Sequence, residues 1–495
     1  MDSLPVELLH FIYQYCDTPT VKSLRLVSGK LAEVGYDYLL QPHLTAVEWR
    51  DDVERLHNIA SHERLRKRIQ HITFNFSKVN EYEARHASFF QNWVQEPEER
   101  NAVLQDAWDT YYELEEQSRK LPALHTRSDS VEDSFKQLPA LRELEITYTK
   151  CPYDIEVLQH VFNVPKCRRR DQKDRARACK NLNAIVSAVR YVQLDALTID
   201  QLPLEIFRLP DDRRHWFDCA RSFASLSRLD LVLDVPANFM PQSRSRTINA
   251  LGHVLQFCPN LTHLSLAFHS YHAPLEKFGL LFHALFGPEF RFERLTDLKL
   301  EGITCAEDDL RGFLLRHADT LERLRLGGRG LAEPFENGIG GVHLHNGSWR
   351  SLFVSLRGKL PRLQRFHMEG DVEAGDIMTS SRELYKFHAV TNDNWEEIPW
   401  SVTASRRNSA SSSRSSGRST RSSSASARWS AHQLPETVDC LALERYLIHG
   451  GEFPKFTPTA ITDAVASLSL GPVAFAAPSI AMSMATSATA AVASE

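Results

Sequence analysis

A six-residue pattern, Leu-x-x-Leu-x-Leu with conservative swaps, recurs eight times between Ile69 and Met368. Its copies begin at Ile69, Leu141, Leu194, Leu226, Leu261, Leu295, Leu321 and Leu363. A short strand paired with a helix cannot bury its apolar face until a neighbouring unit stacks on it, so repetition of the pattern dictates a curved, quasi-one-dimensional array. The helices are legible in the gaps. Ile248, Leu251 and Leu255 precede one copy, Leu280, Leu281 and Leu285 another, and Leu310, Phe313 and Leu314 a third, each at the three-to-four spacing of a one-sided helix.

The later copies lie roughly 26–42 residues apart, longer and less regular than the leucine-rich period of about 20–29. The expected fold is mixed α/β, an irregular leucine-rich-repeat solenoid over 138–370. With the leucines inward, intervening side chains alternate outward onto a concave sheet. Those positions are Glu143, Glu145, Arg228, Asp230, His263, Ser265, Asp297, Lys299, Glu301, Arg323, Arg325, Arg365, His367 and Glu369. Adjacent strands would present opposite charges around Asp297, Lys299, Glu301, Arg323 and Arg325, which makes this the expected centre of a protein-binding face; the bland alternative is a solvated surface that binds nothing.

The other segments flank that array. Residues 46–137 read as a linker and helical cap containing the first repeat strand, with Phe89, Phe90 and Trp93, then Trp108, Tyr111, Tyr112 and Leu114, at amphipathic spacing; the expectation is packing on the array's N-terminal end. Residues 371–400 form a closing segment with a strand at Glu383–Val390, and 433–456 a helix stopped by Gly450-Gly451. Between them, 401–432 is rich in Ser and Arg and almost free of apolar residues, a composition that cannot fold. Within it Ser409, Ser419 and Ser422 follow arginines and are phosphorylation candidates, though an unmodified flexible insert explains the composition equally well. The tail, 457–495, lacks charge from Leu468 to Ala493, yet its Ala, Ser and Thr content and Pro472 and Pro478 favour a disordered end over a membrane span.

The first 45 residues have a different grammar. Leu4-Pro5-Val6-Glu7-Leu8-Leu9 opens a helix, Asp17-Thr18-Pro19 opens a second and Ser28 can cap a third carrying Leu31, Val34 and Tyr38. Leu8, Leu9, Ile12 and Cys16 form one apolar stripe on the first. Three helices this short bury too little to be comfortable without a partner. The Leu-Pro-x-Glu-Leu opening, the Asp-Thr-Pro break and Leu24-Arg25-Leu26-Val27-Ser28 together resemble the F-box, the module that docks on the Skp adaptor of Skp/cullin/F-box ubiquitin ligases. Cys16 and Gly29-Lys30 depart from the usual pattern. The resemblance implies that Leu4, Pro5, Leu8, Ile12, Val21, Leu24 and Val27 divide between the module's core and the adaptor surface. A looser resemblance to F-box proteins of filamentous fungi extends to about residue 456.

Composition narrows the function classes. A net charge of −5 gives no basic field for nucleic acid or an anionic membrane, and the Ser/Arg segment lacks the aromatics that stack bases. Eight cysteines without a Cys-x-x-Cys pair read as reduced intracellular thiols. The opening leaves no room for a signal peptide, and the basic run Lys166–Lys180 is either a nuclear localisation signal or a solvated face, so cytoplasm and nucleus are the expected compartments. Ser28-Gly29-Lys30 lacks the upstream glycines of a phosphate loop, no Gly-x-Gly-x-x-Gly occurs, and neither His343 with His345 nor His269 with His272 has a further zinc ligand at suitable spacing. The expectation is no catalytic residue, metal or cofactor. The resemblance implies a non-catalytic substrate receptor with the Skp adaptor and a cullin as partners and an unidentified protein as target. A scaffold that uses the adaptor or the solenoid outside a ligase is the alternative.

Overall fold

The computed structural model describes residues 4–78, 97–156, 158–159, 172–208, 210–234, 241–269, 280–328, 341–375, 382–387, 440–454 and 459–461. Three short helices open it, α1 (Val6–Gln14), α2 (Thr18–Arg25) and α3 (Gly29–Gly35). Pro5 is the residue before α1 rather than its first turn, and Pro19 lies in the first turn of α2. Asp17 accepts from the Thr20 N–H at 2.9 Å and Ser28 from the Leu31 N–H at 3.3 Å, so both expected caps form.

The strands are β1 (His43–Val47), β2 (His71–Asn75), β3 (Glu143–Thr147), β4 (Ala196–Pro203), β5 (Arg228–Asp234), β6 (His263–His269), β7 (Leu280–Leu281), β8 (Asp297–Glu301), β9 (Ile303–Ala306), β10 (Arg323–Gly327), β11 (Val342–Asn346), β12 (Arg365–Ala374), β13 (Arg382–Phe387) and β14 (Thr459–Ile461). A parallel sheet runs β1-β2-β3-β4-β5-β6-β8-β10-β12, each strand beside its predecessor in the chain once the three short strands β7, β9 and β11 are set aside. Every copy of the sequence pattern supplies one of these strands. Its apolar positions are buried throughout, from Ile72 and Phe74 to Phe366 and Met368, and they merge into one continuous core.

The residue just before each strand start repeats a backbone bond. The Arg142 N–H donates to Gln70 O at 2.8 Å, Asp195 to Arg142 at 2.7 Å, Ser227 to Asp195 at 2.9 Å, and the relay continues through Thr262, Thr296, Glu322 and Gln364. The turns between units are therefore laddered as well as the strands.

Gly302 makes a second row possible. With φ of 67° it turns the chain between β8 and β9, and a Cβ there would sit 2.4 Å from Phe268 O. β7, β9 and β11 then pair in parallel with the second half of β12, which β13 and β14 extend antiparallel.

Several expectations change here. β1 is a repeat-like strand that the pattern misses, because Gln41 stands where its first leucine would, and it straddles the expected boundary at residue 45. Leu280 and Leu281 are strand, with only Phe282–Leu285 helical, since Phe282, Phe286 and Phe313 pack together and take the role assigned to those leucines. The helix Pro97–Lys120 forms and packs Ala107, Tyr111 and Leu114 with Trp49, Tyr153 and Leu158, residues that follow β1 and β3. The C-terminal helix Cys440–His449 ends at Gly450 with φ of 72° and lies along β12, where Glu444 accepts the Phe366 N–H at 2.8 Å. Phe89, Phe90, Trp93, the 401–432 segment with Ser409, Ser419 and Ser422, and nearly all of 457–495 lie outside the described residues.

Candidate functional site

Two surfaces break the ordinary rule that apolar groups go inside and charges outside. The first belongs to α1, α2 and α3, which close around Leu9, Tyr13, Val21, Leu31 and Val34, a core separate from the main one. Tyr13 donates its hydroxyl to Leu31 O at 2.9 Å. The unit meets the sheet through a polar joint, with Arg64 donating to Glu33 at 2.6 Å and Asp37 at 2.9 Å while its guanidinium lies 4.6 Å from the Tyr36 ring centre.

Its outer face is apolar. Val6, Leu8, Phe11, Tyr15, Leu26 and Val27 are exposed, Leu26 by 90% and Tyr15 by 77%, and they are six of the nine large apolar side chains exposed among the described residues. Leu8, Phe11 and Tyr15 follow one another at three and four along α1, so they form a second stripe facing away from the core; the Phe11 and Tyr15 rings meet edge to face at 5.2 Å.

The expected adaptor residues separate on this geometry. Pro5, Leu8 and Val27 are exposed, Leu4, Ile12 and Leu24 are half-buried at the core's margin, and Val21 is 1% exposed. Val21 therefore belongs to the core and is corrected as a surface residue. The inward stripe is Leu9, Ile12, Tyr13 and Cys16, with Leu8 outside it, because two apolar faces share one helix. Phe11, Tyr15 and Leu26 share this exposure without being among the expected residues, although the three-and-four spacing from Leu8 to Phe11 and Tyr15 is legible in the sequence.

The second surface is the polar face of the sheet. Strand register aligns Arg228, His263, Asp297, Arg323 and Arg365 in one row across β5, β6, β8, β10 and β12, and Asp230, Ser265, Lys299, Arg325 and His367 in the next. Like charges stand side by side in places, Arg323 next to Arg365 and Lys299 next to Arg325, and carboxylates between and beyond them supply the counter-charges. Arg228 Nε meets Asp230 at 2.6 Å, His263 bridges Asp230 at 3.0 Å and Asp297 at 3.2 Å, and Arg323 reaches Asp297 at 2.8 Å. Lys299 pairs with Glu301 at 3.3 Å, and Arg325 pairs with Glu369.

This network is largely withdrawn from solvent. Asp297, Glu301 and Arg325 are 1%, 3% and 2% exposed, so three residues at the expected centre of target binding are buried and are corrected as contact residues. The physical reason is that each finds its counter-charge within the chain, Asp297 and Arg325 on neighbouring strands and Glu301 at Lys299 of its own strand; Glu301 also lies against Gly328, where a Cβ would collide with its carboxylate. Asp230, His263, Lys299, Arg323, Arg365 and His367 are half-buried and Arg228 is exposed.

Burial and partners drive the imidazoles apart. Burial alone would lower His263, but hydrogen bonds to Asp230 and Asp297, reinforced by their charge, push it up to about 9. Burial holds His367 down at about 4, and the Arg325 charge adds to that. His263 is thus cationic near neutrality and His367 neutral.

The other histidines considered do not converge. His343 engages Thr304 Oγ1 at 3.0 Å and Gly375 O at 2.8 Å, while His345 is exposed; His272 lies outside the described residues. Among the described residues no group of three or more His, Cys, Asp or Glu is placed to hold a metal, no helix is long and apolar enough to cross a membrane, and the seven cysteines are unbridged. No protein-family model matches this chain, and no curated protein is detectably similar to it in sequence.

Proposed function

We propose that this chain is a non-catalytic substrate receptor of a Skp/cullin/F-box ubiquitin ligase, with the N-terminal helices acting as an F-box and the parallel array as a leucine-rich solenoid that carries the target. The observation that carries the reading is the exposed apolar face of Leu8, Phe11, Tyr15, Leu26 and Val27 on a small unit with its own core. Large apolar side chains left exposed together on one small unit mark a protein interaction site, and the motifs resembling the F-box run through the same residues.

The sheet supports the solenoid half of the proposal, since one strand is added per unit in chain order and the turns repeat their hydrogen bond. Target contact falls to the outward residues that retain exposure, Arg228 and the half-buried Lys299, Arg323, Arg365 and His367. The receptor would work by proximity, raising the effective concentration of target lysines at a conjugating enzyme that supplies the chemistry.

The test is affinity purification of the full chain followed by detection of the Skp adaptor and cullin. Both should co-purify. Adaptor without cullin would turn the reading into a scaffold outside a ligase, and neither would remove it.

A further inference from the structure

The polar face of the sheet changes character along the array. On β3 it presents Glu143 and Glu145, the former with more than half of its side chain exposed, and on β4 the same two rows hold Ala196 and Thr198, which carry no charge. From β5 to β12 the rows carry the cations Arg228, His263, Lys299, Arg323, Arg325 and Arg365, and the carboxylates beside them are Asp230, Asp297, Glu301 and Glu369. Positive charge is in surplus on that part of the face, although the chain as a whole has a net charge of −5.

Depth separates the two signs. The side chains of Arg228, Arg323 and Lys299 keep 58%, 32% and 21% of their surface exposed, whereas those of Asp297, Glu301 and Glu369 keep 3% or less. Asp230 is the carboxylate of the four with appreciable exposure, at 18%. Short carboxylates stay at the level of the sheet while the longer Arg and Lys stems carry their charged heads past them. Arg228 shows the result. It engages Asp230 through Nε, which leaves its two terminal nitrogens as donors for a carboxylate approaching from solvent.

Neighbouring strands stand about 4.8 Å apart, so the steps from β5 through β6, β8 and β10 to β12 span roughly 19 Å, the length of about six extended residues. A peptide laid across the strands brings acidic side chains over Arg228 at one end and over Arg323 and Arg365 at the other. No Trp, Tyr or Phe stands in either row to stack a base, which sets this surface apart from one for single-stranded nucleic acid.

We propose that the face from β5 to β12 docks an acidic protein segment of about six extended residues, its carboxylates received by Arg228, Lys299, Arg323 and Arg365. The proposal names the class of target for the receptor reading and rests on that reading for the segment's role as a target.

The experiment follows the fluorescence anisotropy of labelled hexaglutamate as the full chain is added at about 50 mM salt, with hexalysine and oligothymidylate in parallel arms. Saturable binding of hexaglutamate is expected, with none of hexalysine. Raising the salt to about 0.5 M should weaken it at least tenfold. Arg228→Gln with Arg365→Gln should weaken it by about tenfold while adaptor capture stays parental. If that double variant unfolds, Lys299→Gln, expected to weaken binding about threefold, decides together with the salt series. Absence of saturable hexaglutamate binding at millimolar concentration would overturn the proposal, as would unchanged affinity in the folded double variant or tighter binding of oligothymidylate. Failure to bind hexaglutamate by a chain that still captures adaptor and cullin overturns this inference alone; binding by a chain that captures neither supports the acidic-segment surface and removes the receptor reading.

Discussion

The N-terminal helices expose what a protein normally buries, and the sheet buries what it normally exposes. Around α1 the apolar side chains Phe11, Tyr15, Leu26 and Val27 are left exposed, whereas Asp297, Arg325 and Glu369 find their counter-charges on adjacent strands of the sheet. The difference separates cohesion from recognition. Charges already satisfied by their own fold are poorly placed to attract a partner, and an apolar face left unsatisfied is well placed to do so.

The largest test of that contrast is to break a buried pair. Arg325→Ala strands the Glu369 carboxylate and should cost about 3–5 kcal/mol in chemical denaturation. Arg325→Met with Glu369→Leu should recover most of that loss, because removing both charges also removes their desolvation cost. If the single variant is as stable as the parent, the face is solvated and the contrast dissolves.

Leu324→Ala, on the opposite side of the same strand, is expected to cost about 2–5 kcal/mol through the cavity it leaves. Comparable losses from Leu324 and Arg325 would show that both faces of β10 hold the array together.

A smaller effect follows from the two histidines. His263 is raised from 6.5 to about 9, so its contribution is complete below pH 6.5 and is lost as pH rises toward 9. His367 is depressed to about 4, so its contribution is complete above pH 6.5 and is lost as pH falls toward 4. Stability followed by urea titration should therefore peak near pH 6.5 and decline by about 2–3 kcal/mol by pH 9. His263→Gln should flatten the alkaline limb; an unchanged limb would assign it to other groups.

The smallest effect is expected where the helices face outward. Phe11→Ser and Tyr15→Ser should each alter stability by about 0.5 kcal/mol or less in thermal melts, as exposed substitutions do. A loss of several degrees would place these rings in a core.

Much of the array was legible because its leucines recur with the period of a strand and every copy became one. Burial on the outward side was not, since alternation gives the face a residue occupies but not what its neighbours across the register will neutralise; Asp297 and Arg325 read as solvent-facing until His263, Arg323 and Glu369 were placed beside them. The same ambiguity shifted the stripe on α1, where apolar residues on both faces allowed Leu8 to be counted inward. β1 escaped because Gln41 broke the pattern.

The most direct measurement is the affinity of the purified full chain for the Skp adaptor, compared between the parent and Phe11→Asp with Tyr15→Asp, with Arg365→Glu on the sheet as the control. Loss of two anchors, at about 2 kcal/mol or more each, should weaken binding by on the order of a thousandfold while the melting temperature holds and the control binds as the parent does. Parental affinity in the Phe11 and Tyr15 variant, or no measurable binding by the parent itself, would contradict the assignment of this face to the adaptor.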